Sequence, residues 1–94
     1  MMSQIPIKIE GMDKKQVDTE ILRAGMIAEL DAINMYEQMA ALASESNVKK
    51  MLLDIAKEEK THLGEFQTLL LNRDKEQVEE LKKGKNEVKE EVGE

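Results

Sequence analysis

The sequence contains no cysteine and no tryptophan, one proline, and two aromatic side chains, Tyr36 and Phe66, among 94 residues. Without cysteine there are no disulfides, thiol nucleophiles or thiolate ligands, so any metal must take nitrogen or oxygen ligands. No apolar run approaches the roughly 20 residues of a membrane span, and the N-terminus lacks the apolar core of a signal peptide. Acidic residues outnumber basic ones by 20 to 14, which argues against nucleic-acid binding. We therefore expect a cytosolic protein with no membrane or nucleic-acid partner.

Residues that favour helices dominate the composition of the chain. Ala, Glu, Lys, Leu and Arg account for 46 of the 94 residues, a composition typical of long helices. Leu, Ile, Val and Phe together number 23, which is enough to expect a folded chain. Two aromatics and short aliphatics nevertheless give a single small domain little core to bury. The composition therefore predicts an all-α protein that forms an oligomer.

The first segment, residues 1–12, differs from the rest of the chain. Ile5, Ile7 and Ile9 alternate with Pro6 and Lys8, which is the period of an extended segment. Gly11 marks the end of this alternation. We expect a short extended N-terminal arm that is too small to fold alone.

Helical signals dominate residues 13–72. Asp13 with Gln16 three residues later has the pattern of a capping box, and Met12 and Val17 are spaced for a hydrophobic staple. A first helix is predicted from there to about residue 43.

Short polar residues at 44–47 then favour a turn, and a second helix is predicted to about residue 71. These two helices form an antiparallel hairpin. The segment 73–94 has 14 charged residues among 22 and a sparse apolar stripe interrupted by Gly84. We expect a short charged C-terminal helix, a tail or a linker there.

Each predicted helix has an apolar stripe that contains acidic or imidazole side chains. Glu29 lies in the middle of the first stripe, and Glu59 and His62 lie in the middle of the second. Burying an unpaired carboxylate costs several kcal/mol, and the nearby basic residues fall off both stripes. A bound cation is the simplest compensation. The apolar members of the two stripes are Leu22, Met26, Ile33, Tyr36, Ala40, Ala43, Val48, Leu52, Ile55, Phe66 and Leu70.

Glu59 and His62 form a Glu-x-x-His pair, which places a carboxylate and an imidazole one helical turn apart. This pair alone is a weak signal, but ferritin-like di-iron sites combine two such pairs with one Glu from each of two other helices. One chain supplies half of that set with Glu29. A dimer of hairpins would supply all of it in a four-helix bundle, and four carboxylates would balance two divalent cations. Such ligands suit iron or manganese.

Other interpretations of these residues stay open at this point. His62 would otherwise be a surface residue, and Glu29 would otherwise form an interhelical salt bridge. Glu58 is a rival to Glu59, because it also faces His62 at a spacing of four residues. Tyr36 lies two turns after Glu29, where it would either approach the metal or pack.

Two glycines lie inside the predicted helices, and they also allow two explanations. Gly25 and Gly64 each cost about 1 kcal/mol relative to alanine. Either a close approach of the helices or simple tolerance would account for each of them.

Two sequence blocks, AELDAINMYEQ at 28–38 and EEKTH at 58–62, together with their separation, resemble the encapsulated ferritins. These are two-helix ferritin-like proteins that work inside encapsulin nanocompartments, and the resemblance covers about residues 14–72. It implies that Glu29, Glu59 and His62 are di-iron ligands, with Tyr36 close to the metal. It also implies a ferroxidase site assembled across a two-fold interface and dimers arranged in a decameric ring of five dimers. Asp31 falls where relatives carry an acid thought to help iron approach.

Two departures from the family pattern matter. Met35 stands where relatives often have tryptophan, and residues 90–94 are acidic instead of forming an apolar, basic shell-targeting peptide. We therefore expect a chain that is truncated or joined to an encapsulin shell protein. The expected activity is oxidation of Fe(II) to Fe(III) with O2, which feeds iron to storage inside the shell. The alternatives are a non-catalytic metal-binding oligomerisation module and a fragment of a rubrerythrin-like peroxidase.

Overall fold

The computed structural model describes residues 11 and 13–94, and the regular structure in this part of the chain is entirely helical. Three helices follow in order: α1 (Lys14–Leu42), α2 (Ser46–Leu71) and α3 (Lys75–Val92). The all-α prediction is confirmed. None of these three helices is long and apolar enough to cross a membrane. The expected arm, apart from Gly11, and the Met12 half of the expected staple lie outside the described residues.

Helix α1 begins at the predicted capping box. The Asp13 carboxylate accepts a hydrogen bond from the backbone N–H of Gln16 at 2.8 Å, and the Gln16 side chain accepts one from the backbone N–H of Asp13 at 3.3 Å. This reciprocal pair satisfies two backbone donors that a helix start leaves without partners. The helix ends where Ala43 turns to extended backbone, and its N–H still donates to the carbonyl of Met39 at 2.9 Å. Capping chemistry therefore fixes both ends of α1.

Helices α1 and α2 form the hairpin, since the three residues between them allow only an antiparallel arrangement of neighbouring helices. In the described part of the chain, the buried apolar side chains all belong to these two helices. They mark one continuous seam along which the hairpin packs, and they are Leu22, Ile33, Ala40, Ala56 and Leu70.

The two glycines inside the hairpin have different explanations. A Cβ on Gly25 would lie 2.8 Å from two ring atoms of Phe66, so the absence of a side chain lets the ring lie against α1. A Cβ on Gly64 would meet no described atom within 4 Å. Close helix approach therefore explains Gly25, and tolerance explains Gly64.

Helix α3 leaves the hairpin at Asp74 and buries none of its residues. One Asp74 oxygen accepts the backbone N–H of Gln77 at 2.9 Å, and the other accepts from the Arg23 guanidinium at 3.1 Å. The helix continues without a break through Gly84 and ends at Gly93, which has a left-handed φ of 75°. Of the structures expected for this charged segment, a helix is the one observed.

Candidate metal centre

The antiparallel hairpin brings together the three residues that interrupt its apolar stripes. Glu29 comes from α1, while Glu59 and His62 come from consecutive turns of α2. One carboxylate oxygen from each glutamate and one ring nitrogen of His62 all lie within 4.8 Å of one another. The His62 Nδ1 atom is 3.4 Å from Glu59 Oε2 and 3.7 Å from Glu29 Oε2. Three potential ligand atoms therefore surround a single point between the helices.

Glu29 Oε2 is the most unusual atom of this cluster. It is buried and has no hydrogen-bond partner among the described residues. A buried acceptor without a partner costs about 1–3 kcal/mol, and more when it is charged. The side chain as a whole is 15% exposed. An atom in this position needs a compensating cation or a proton.

Basic side chains of the hairpin do not supply that compensation. Lys60 pairs with Glu37 at 3.2 Å, and Arg23 pairs with Asp74 at 3.1 Å. Within the described residues, the ion-pair contact of Glu29 is with His62 alone. The structure therefore does not support an interhelical salt bridge between Glu29 and a lysine or arginine.

The electrostatics of the cluster make it hold protons when no cation is bound. Burial is the largest of the effects that raise the pKa of Glu29 from 4.5 to about 7. The Glu59 carboxylate adds to this increase, first by sharing a proton with Glu29 and then by its negative charge. Burial lowers the pKa of His62, but its contact with Glu59 and the charges of Glu29, Glu59 and Glu65 outweigh this and raise that pKa. A divalent cation would replace these protons with charge of the same sign.

The donor set fits iron or manganese. Two carboxylates and one imidazole are hard to intermediate ligands, which suit these ions, whereas structural zinc usually brings cysteine. Three ligands also leave coordination positions open. The set equals half of the ferritin-like arrangement of one Glu and one Glu-x-x-His pair from each of two halves.

Other predicted residues lie outside this cluster. Glu58 is exposed and contributes no atom to it, so the geometry favours Glu59 over its rival. Tyr36 and Asp31 are half-buried on α1, and neither belongs to the three-residue cluster. Glu65 was not singled out from the sequence, yet its charge helps to raise the pKa of both Glu29 and His62. Its position one turn after His62 was the available signal.

Exposed apolar side chains flank the open side of the cluster. Three of them directly precede a residue of the hairpin seam, and Met51 precedes Leu52, a half-buried residue on the same stripe of α2. Each is therefore rotated by about 100° from the packed side of its helix in the same sense. Because the helices are antiparallel, that rotation points to one side of the hairpin, the side on which His62 is 45% exposed. We call this surface the site face, and it comprises Ile21 (46% exposed), Met39 (39%), Met51 (57%) and Leu69 (45%).

The second apolar stripe of α1 was missed in the sequence, although its spacing was visible. Ile21, Ala28, Met35 and Met39 recur at steps of seven, seven and four residues. Small and flexible side chains weaken that pattern, which is why the stripe through Glu29 dominated the interpretation.

Comparisons with known proteins agree with this geometry. The rubrerythrin family model matches residues 20–93, a range that contains the whole cluster. A ferritin-like–encapsulin shell fusion protein of Pyrococcus furiosus is 65% identical over 74 residues, which are 79% of this chain and 21% of that relative. The chain thus spans about a fifth of the length of that relative.

A solved structure extends the comparison over the complete chain. The crystal structure of an encapsulated ferritin domain from Pyrococcus furiosus superposes with a TM-score of 0.86 at 54% sequence identity. The match covers 100% of this chain and 98% of the other. The resemblance seen in the sequence is confirmed, and the chain belongs to the rubrerythrin family and to the encapsulated ferritins.

Proposed function

We propose that two copies of this chain build a di-iron ferroxidase centre from their paired Glu29, Glu59 and His62 side chains. The observation that carries this proposal is the buried, unpartnered Glu29 Oε2 atom within reach of a second carboxylate and an imidazole. One chain supplies half of a ferritin-like ligand set. The four carboxylates of two copies balance two divalent cations.

The site face is the surface on which the second copy would lie. Its four apolar side chains are each roughly half exposed, and along each helix they lie two to three turns before and after the cluster. Covering them would stabilise a dimer by about 1 kcal/mol for each side chain. The same contact would enclose His62 and exclude water from the bound ions. Dimerisation and completion of the ligand set are therefore one event in this proposal.

Within the centre, the chain's residues hold the ions and handle protons. Glu29 releases its proton when a cation arrives, and His62 binds through a neutral ring nitrogen. When bound, the two Fe(II) ions give one electron each to O2, which leaves with two protons as hydrogen peroxide. Iron is therefore the ion that the centre binds and also its substrate. Tyr36 would support the site from its outer side, and Asp31 would guide approaching iron.

The wider setting of the proposal extends the resemblance to the encapsulated ferritins. Residues 13–72 would be the ferroxidase unit, and residues 73–94 a helical connection to an encapsulin shell protein, as the fusion protein of Pyrococcus furiosus suggests. Dimers would assemble into a decameric ring of five dimers inside the compartment, and the Fe(III) produced would pass to storage there.

Anaerobic Fe(II) titration followed by native mass measurement and exposure to air tests this function. We expect two iron ions per dimer and a rapid rise in ferric absorbance with O2 consumption. Glu29→Ala and His62→Ala should abolish both, whereas the control Glu58→Gln should keep them.

Three outcomes would contradict the proposal. An unchanged oxidation rate in Glu29→Ala would rule out this ligand set. Stoichiometric metal without O2 consumption would favour a non-catalytic oligomerisation module. Faster oxidation with peroxide than with O2 would favour a peroxidase.

A further inference from the structure

Glu65 is an acidic residue beside the metal centre that the ligand set does not use. It follows His62 by three residues on α2, which places the two side chains on the same face of the helix, about one turn apart. Glu65 is exposed and contributes no atom to the cluster of Glu29, Glu59 and His62. It is therefore a neighbour of the cluster and not a fourth ligand within it.

The direction of α2 aims the Glu65 side chain at the cluster. In an α-helix each Cα–Cβ bond tilts toward the N-terminus, so a side chain lies over the turn that precedes it. For Glu65, that preceding turn carries His62. Glu58 is also exposed and lies four residues before His62, but its side chain lies over the turn that leads away from the site. The two glutamates are therefore chemically alike and oppositely placed.

The charge of Glu65 acts on residues of both helices of the hairpin. Burial is the largest cause of the raised pKa of Glu29 on α1, and the charge of Glu65 adds to it. Burial lowers the pKa of His62 on α2, and the charge of Glu65 is one of those that raise it. Glu58 is not among the groups that shift either pKa. The Glu65 carboxylate thus acts on the space between the helices where a metal would lie.

No basic side chain neutralises Glu65 within the described part of the chain. The ion pairs there involve other acids, and Glu65 takes part in none of them. Its neighbours on the helix surface, three and four residues away, include no lysine or arginine. They are Thr61, His62, Thr68 and Leu69. The negative charge of Glu65 is therefore available to a cation in the site.

The charge count of the proposed centre leaves a place for this additional carboxylate. In two copies, Glu29 and Glu59 supply four negative charges, which balance two Fe(II) ions. When each Fe(II) has given one electron to O2, the two Fe(III) ions carry six positive charges, and the ligand carboxylates leave two of these unbalanced. Two copies of Glu65 supply the two missing negative charges. With Glu65 included, the acidic residues match the oxidised pair of ions and exceed the reduced pair.

On the basis of the function proposed above, we propose that the Glu65 carboxylate stabilises the bound iron more in its trivalent than in its divalent state, which favours oxidation by O2. It acts through space, because a negative charge attracts a trivalent ion half as strongly again as a divalent ion at the same distance. Leu69 of the site face lies one turn after Glu65. A second copy on that face would lower the effective dielectric constant around Glu65 and strengthen the effect.

Redox titration of iron bound to the full chain tests this inference. Glu65→Gln removes the charge at an exposed position and keeps a similar helix propensity, so the fold is retained. We expect Fe(II) to bind about tenfold and Fe(III) about thirtyfold more weakly. The preference for Fe(III) then falls about threefold, which raises the midpoint potential by about 30 mV for a one-electron couple. Glu65→Asp keeps the charge and should retain most of the preference.

Glu58→Gln is the matched control, because it removes the same charge from the other side of His62. Its midpoint potential should equal that of the wild type. A raised potential in Glu65→Gln alone supports the inference. Equal potentials in Glu65→Gln and the wild type overturn it, as do equal shifts in Glu65→Gln and Glu58→Gln.

Iron stoichiometry separates this inference from the proposed function. If the wild type binds no iron, the metal centre itself is wrong and the role of Glu65 fails with it. If the wild type and Glu65→Gln both bind two ions per dimer at the same potential, the metal centre stands and the role of Glu65 alone is overturned.

Discussion

The hairpin and α3 use similar helix-forming residues for different purposes. All buried apolar side chains of the described residues lie in α1 and α2, and there the chain also holds two carboxylates at 15% and 19% exposure. Helix α3 buries nothing, and its charges lie in water. Its Lys82–Glu79 and Lys83–Glu80 pairs are exposed on both partners and contribute little. A glutamate on the hairpin seam therefore lowers the folding stability, whereas a glutamate on α3 has little effect on it.

This difference between buried and exposed glutamates indicates where the functional site lies. A glutamate on α3 is explained by solubility and helix propensity. A glutamate on the seam lowers the stability of the hairpin unless something positive joins it. A substitution in one region, with the other region or a matched position as its control, tests this difference.

The largest effect is expected from removing the buried charge itself. Glu29→Gln keeps the shape but removes a metal ligand, and an amide is less costly to bury than a carboxylate. The metal-free variant should be more stable by about 1 kcal/mol. The wild type should gain about 2.7 kcal/mol from Mn(II) at a hundredfold excess over its Kd, and the variant should gain nothing. Urea unfolding at fixed chain concentration measures both effects.

Glu58→Gln provides the control for that experiment. It makes the same chemical change at an exposed position beside the site. Its metal-free stability should therefore equal that of the wild type, and Mn(II) should stabilise it as much as the wild type. If Mn(II) stabilises Glu29→Gln as much as the wild type, Glu29 is not a ligand and the contrast between the two regions loses its functional meaning.

Local chemistry explains how much of this contrast was visible in the sequence. Asp13 with Gln16, and the polar residues at 44–47, set the helix ends, because caps and turns depend on neighbours in the sequence. Glu29, Glu59 and His62 were found because helical spacing places them on apolar stripes. The helix over 75–92 was expected only as one alternative beside a tail or a linker, since a charged segment has only a weak period to interpret.

What the sequence did not show depends on how two helices meet. The isolation of Glu29 Oε2 requires the rotation of α1 against α2, and that contact follows from the fit of the Phe66 ring against Gly25. The site face was missed because alanine and methionine weaken the stripe of α1 that includes Ile21. Such features arise from packing between segments distant in sequence, which periodicity within one helix does not report.

The pH dependence of stability should also separate the two regions. The folded-state pKa of Glu29 is about 7 against an ordinary value of 4.5, so between these values the folded protein binds more protons than the unfolded one. Stability of the metal-free protein must then fall as pH rises from about 4.5 to about 7. The raised pKa of His62 acts in the same direction, because its stabilising charge is present below pH 6.5 and is lost at higher pH.

Unfolding at several pH values, with and without Mn(II), measures this dependence. With the metal the trend should reverse, since the ligands bind only when deprotonated. The Glu29→Gln variant should lose most of the decline between pH 4.5 and 7. A metal-free wild type whose stability rises through this range would contradict the raised pKa of Glu29.

Alanine substitutions at two helical glycines test the packing that positions the site. Gly64→Ala should stabilise the protein by up to about 1 kcal/mol through helix propensity, because a Cβ there meets no described atom within 4 Å. Gly25→Ala should lack this gain, since the Phe66 ring would have to move. Adding Phe66→Leu should reduce the difference. Equal effects of the two alanines in urea unfolding would show that the close contact does not constrain the hairpin.

The smallest effect is expected at the junction between the two regions. Asp74→Ala removes both the cap of α3 and the ion pair with Arg23, and should weaken α3 by about 1 kcal/mol. Asp74→Asn keeps a capping oxygen and should lose only the partly exposed ion pair, at most about 1 kcal/mol. Hydrogen exchange should show faster exchange in α3 for the alanine variant and little change in the hairpin, because α3 buries no side chain against it. If hairpin amides lose protection to the same extent, α3 unfolds together with the hairpin, and the two regions form one cooperative unit.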